Sequence, residues 1–101
     1  MADAADPRRR SERVVAAVPL RVAAGGAEAV GQSAVVNRHG ALILCGVDAS
    51  DGDEIRVTNT VSGENARCRV VWAGGEDETG LKKYGIELLE DRPRFWGFEV
   101  E

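Results

Sequence analysis

Apolar residues in this chain recur at every second position, and no long segment carries the three- and four-residue spacing of an amphipathic helix. Val18, Leu20 and Val22 share one side of a segment that opens with Val14 and Val15, and Ile55 and Val57 alternate with polar neighbours between Glu54 and Asn59. Successive side chains of an extended strand point to opposite faces, so such a segment has one face for a core and one for water. The pattern predicts strands over Val14 to Val22, Glu28 to Asn37, Ala41 to Cys45, Glu54 to Asn59, Glu64 to Ala73 and Tyr84 to Leu89. Gly25 and Gly26 supply the first turn, Arg38, His39 and Gly40 the second, and Ser62 and Gly63 a later hairpin. Gly46 to Asp53 is a polar loop, and Gly74 to Gly80 an acidic connection. Six short strands without a long helix predict an all-β, six-stranded antiparallel barrel, because closure removes exposed strand edges.

With 101 residues, 44% of them hydrophobic and 30% charged, the chain is sized and composed for one globular domain. A formal net charge of -4 argues against a general DNA or RNA binder. No stretch reaches the roughly 18 to 20 apolar residues of a membrane span, and the N-terminus lacks the apolar core of a secretory signal. The expected location is therefore cytoplasmic. Cys45 and Cys68 lie within apolar runs and form no metal-ligand spacing with His39, so buried reduced thiols are expected and no metal site. The carboxylates Asp48, Asp51, Asp53 and Glu54 lack the ordered ligand spacing of a calcium loop and read as a solvated turn. No Gly-rich phosphate loop precedes a helix, no Ser and His stand at a recognisable spacing, and His39 is the single histidine. No catalytic residue, enzyme activity or cofactor is expected.

Arg8, Arg9, Arg10 and Arg13 place four guanidinium groups within six residues of an otherwise acidic chain. Like charges this close repel one another, and Arg suits phosphate and guanine better than Lys does. Near the other terminus, Phe95, Trp96 and Phe98 bring three of the five aromatic side chains within four residues, after Pro93. Aromatics this dense in a small domain serve its core, so they are expected to plug a barrel mouth or side groove. The organisation expected is a flexible arginine arm over 1–13, a barrel over 14–90 and an aromatic tail over 91–101 packed on that barrel.

The spacing Arg9-x-x-x-Arg13, the first strand, the second strand ending in a turn at Asn37 to Gly40, Arg69-Val70-Val71-Trp72 and Tyr84-Gly85-Ile86-Glu87-Leu88 together resemble the PilZ domain family. The resemblance covers roughly residues 8 to 90. It implies a six-stranded, split-barrel-type fold whose members commonly bind the bacterial second messenger cyclic di-GMP and pass the signal to a fused domain or protein partner. It implies ligand contacts from Arg9, Arg10 and Arg13, and from Asn37, Arg38, His39 and Gly40 at the turn. The family's second motif is Asp or Asn, any residue, Ser, any two residues, Gly. Anchored on Gly40, this chain reads Val35-Val36-Asn37-Arg38-His39-Gly40, with Val35 at the acidic or amide position and Asn37 at the serine. Val35 accepts no hydrogen bond from guanine, a loss of about 1 to 3 kcal/mol. The resemblance therefore leaves two functions open: a cyclic di-GMP module whose arginine arm orders on the ligand, and a degenerate interaction domain that binds a protein without nucleotide. Arg38 and His39 either extend a cationic surface or are exposed turn residues, and Gly40 is expected to permit a tight reversal with positive φ.

Overall fold

The computed structural model describes residues 13–100 of the chain. Seven strands follow one another: β1 (Val14–Val15), β2 (Pro19–Ala24), β3 (Ala27–Asn37), β4 (Gly40–Cys45), β5 (Glu54–Asn59), β6 (Asn65–Glu76) and β7 (Lys82–Leu88). Among the described residues there is no helix. All pairings are antiparallel, and the order β3-β2-β5-β6-β7-β4 closes on itself through β3 and β4. The result is the expected six-stranded barrel, with β1 as an additional short strand on β3.

The alternating apolar residues fill the lumen. Leu20 and Val22 of β2, Val36 of β3, Ile43 of β4, Val57 of β5, Val70 of β6 and Ile86 of β7 are all buried. Burying each such side chain contributes roughly 1.5–3 kcal/mol. Cys45 and Cys68 are buried in the same core as free thiols.

The first predicted strand differs from expectation by being broken. Val14 pairs with Val36 and Pro19 with Gln32, so one extra residue is accommodated at Ala16 to Val18. The buried Ser33 side chain repairs the gap: its hydroxyl accepts from the Val18 N–H at 2.8 Å and donates to the Ala16 carbonyl at 2.5 Å. A bulge in β3 between Ser33 and Val35 lies opposite this break. It lets Ser33 and Val36 both face inward although three positions separate them.

Gly25 and Gly26, with φ of 57° and 87°, form the two-residue β2–β3 hairpin turn, as the glycine pair predicted. Asn37, Gly40, Pro19, Asn59, Asn65 and Leu88 all lie at the opposite end of the barrel, where β3, β5 and β7 finish and β2, β4 and β6 begin. The tail crosses this end. Phe95, Trp96 and Val100 are buried there, and the rings of Phe95 and Trp96 meet edge to face, 4.9 Å apart at 82°. The buried Asn59 amide donates to the Phe95 carbonyl at 2.8 Å. Glu90 ties the start of the tail to β6 by accepting from the Arg67 N–H at 3.0 Å, and it also accepts from Arg92 at 3.1 Å. That N–H, then the Arg92 guanidinium, hold its carboxyl below the usual range.

Candidate functional site

Strand register assembles two adjacent rows on the outer wall of the barrel. Val15 pairs with Val35, Val35 with Leu42, Leu42 with Gly85 and Gly85 with Trp72, which makes one row apolar. Asn37 pairs with Gly40, Gly40 with Glu87 and Glu87 with Arg69, which makes the neighbouring row polar. Paired residues of an antiparallel sheet share a face, so both rows point outward. A second bulge, between Val70 and Trp72 on β6, turns Val71 and Trp72 both to the outside, 52% and 49% exposed. Gly40 and Gly85 contribute no side chain, and an open depression of about 470 Å³ lies over them.

Arg13, Asn37, His39 and Gly40 all line this depression. Four of the seven residues singled out in the sequence are thus brought together, although Arg13 is far from the turn in the chain. Arg9 and Arg10 lie outside the described residues. Arg38 does not line the depression; its guanidinium lies 3.6 Å from the Asp91 carboxylate at the start of the tail. Leu42, Val71, Gly85 and Glu87 are also part of the lining and were not singled out as site residues, since only the register places them beside the turn.

The turn itself is held by Asn37. Its side-chain oxygen accepts from the backbone N–H groups of His39 and Gly40, both at 2.8 Å, and its carbonyl accepts from the Trp96 indole at 3.2 Å. This side-chain cap allows the two-residue reversal without positive φ at Arg38 or His39. Gly40 also departs from expectation: it lacks positive φ. Its requirement is close approach, because a Cβ at Gly40 would meet the Ile86 carbonyl oxygen at 2.1 Å and the Glu87 Cα at 3.1 Å. Val35, at the motif's acidic or amide position, faces the depression with an apolar side chain.

The fold and the position of its depression define a small closed β-barrel that offers a concave outer wall, while its lumen is filled by core side chains. The chain belongs to the PilZ domain family: the model of that family, described as PilZ domain, matches residues 7–95. Members of this cyclic di-GMP-binding family are regulatory binding modules. Among solved structures, the chain is similar to the Bacillus subtilis inhibitor of motility (MotI/DgrA), with a TM-score of 0.68 and 15% identity. The similarity covers 91% of this chain and 47% of that one, so the chain spans about half the length of that protein. No curated protein matches the sequence. Among the described residues no helix is long and apolar enough to cross a membrane, and no cluster of His, Cys, Asp and Glu could hold a metal ion.

Proposed function

We propose that the chain binds cyclic di-GMP on the outer wall of the barrel, between the arginine segment and the Asn37–Gly40 turn. The observation that carries this reading is the convergence of Arg13 with Asn37, His39 and Gly40 on one depression in a member of the PilZ family. Arg9, Arg10 and Arg13 supply the chemistry the ligand asks for. A guanidinium donates two parallel hydrogen bonds to the O6 and N7 edge of guanine, stacks on the base plane, or clamps phosphate. Apolar Val35, Leu42 and Val71 give the bases a surface to pack on. Closure of residues 8–13 over the ligand changes the surface offered to a protein partner or a fused output domain, at an ordering cost that lowers affinity. On this reading the chain is a bacterial cytoplasmic signalling module without enzymatic activity, cofactor or membrane span.

A second reading has its own observation. Val35 presents no acceptor, and the Asn37 side-chain oxygen is already engaged twice within the turn. A turn that offers so few acceptors suits a protein partner that binds without nucleotide, with the arginine segment pairing with acidic side chains.

Calorimetric titration of cyclic di-GMP separates the two. Saturable binding at or below roughly 10 μM, about -7 kcal/mol, that disappears in Arg9→Ala/Arg13→Ala is the expected result. No heat at millimolar ligand, together with capture of a stable partner irrespective of nucleotide, would establish the second reading.

A further inference from the structure

The geometry points to Glu87 as the residue that makes this site select guanine, accepting hydrogen bonds from the base's N1–H and N2–H₂ groups in place of the acceptor that Val35 lacks. This inference rests on the cyclic di-GMP reading. Guanine presents two adjacent donors on that edge, whereas adenine presents an acceptor at N1 beside a donor at N6. A carboxylate has two acceptor oxygens and no donor, so it matches guanine and opposes adenine.

Glu87 is the one carboxylate among the described residues that line the depression. It occupies the polar row beside the turn, paired with Gly40 on β4 and Arg69 on β6. Gly40 carries no side chain, so nothing at that position stands between Asn37 and Glu87 along the row. Arg69 holds one carboxylate oxygen of Glu87 at 3.5 Å, and the Glu87 side chain is 45% exposed. The other oxygen, Oε1, receives no hydrogen bond or ion pair from any described residue. Arg69 therefore orients the carboxylate and offsets its repulsion of the ligand phosphates, while leaving an ionised acceptor for the base. On that reading the arginines take the neighbouring edge of guanine, at O6 and N7, so the two contacts use different atoms.

The test compares cyclic di-GMP with cyclic di-AMP, titrated into the wild type, Glu87→Ala and Glu87→Ala/Val35→Asp. Glu87→Ala is expected to lower affinity for cyclic di-GMP by about tenfold to a hundredfold and to leave that for cyclic di-AMP within about twofold, narrowing the preference. Val35→Asp, which returns a carboxylate to the same depression, is expected to restore guanine preference in the double variant. A Glu87→Ala protein that keeps the wild-type ratio, or loses both dinucleotides in equal proportion, overturns the assignment and leaves cyclic di-GMP binding intact as a reading. A wild type that binds neither dinucleotide overturns both.

Discussion

The indole Nε1 of Trp96 donates to the Asn37 carbonyl at 3.2 Å, joining the C-terminal tail to the turn that borders the depression. The Asp91–Arg38 ion pair adds a second link at the edge of the same turn. Through the buried Phe95 and Asn59, the tail is fixed at the same time to the end of β5.

Trp96→Phe keeps an aromatic ring in the core but withdraws the indole donor from Asn37. It is expected to cost about 1 kcal/mol in urea denaturation. Trp96→Ala also removes a side chain that is only 3% exposed and costs about 3–5 kcal/mol. Amide resonances of His39 and Gly40 should shift in the Phe variant, with those of Gly25 and Gly26 unchanged. If the shifts were equal at both ends of the barrel, the indole would not be a local support of the turn.

Gly40→Ala forces β4 away from β7, since the added methyl would overlap the Ile86 carbonyl. A destabilisation of about 1–3 kcal/mol is expected, with loss of the depression's shape. Gly25→Ala has open space around it but a φ of 57°, and is expected to cost about 1 kcal/mol without altering the site. Thermal or chemical unfolding of the two variants, with ligand titration of each, distinguishes the roles.

Ser33→Ala leaves the Val18 N–H and the Ala16 carbonyl without their shared partner. The expected cost is about 1–3 kcal/mol. Because the hydroxyl holds the chain between β1 and β2, hydrogen exchange at Val14 and Val15 should accelerate more than at Val57 of β5. Uniform acceleration would show that the break is not Ser33's to hold.

Burial pushes the Cys68 thiol up from its ordinary 9.0 to about 12, with the Glu90 charge a smaller contribution in the same direction. An unfolded chain loses this proton first, so the stabilising effect is complete below about pH 9 and is lost as pH rises towards the folded value. Stability measured by denaturant should fall across that window, and Cys68→Ala should flatten the fall. At pH 8 the folded protein should also resist thiol reagents at Cys68. Rapid labelling under native conditions would contradict this burial.

The strand Glu54–Asn59 was legible to the residue, because Ile55 and Val57 keep strict alternation between polar boundaries. Legibility failed where the period of two is interrupted. The bulge between Val70 and Trp72 sets Val71 and Trp72 together on the outside, and β6 continues to Glu76, three residues beyond the predicted end at Ala73. The extra residue at Ala16 to Val18 divides the first strand, a break that only the buried Ser33 contacts reveal. Arg13 and much of the turn could be singled out because the motifs of the family resemblance cover them. Glu87 and Leu42 could not, since the pairing of β4 with β7 brings them to the turn from elsewhere in the sequence. What makes Gly40 special is not a positive φ but a neighbouring strand, a constraint invisible to any local pattern.

The tail crosses the barrel end at which β3 finishes, and β1 begins close to that same end, so Arg13 and Val100 leave the barrel on one side. The Gly25–Gly26 turn stands at the far side, ~33 Å away along the ten residue steps of β3. Circular permutation opened at that turn, with Arg13 and Val100 joined by a linker across that end, would therefore retain every core strand.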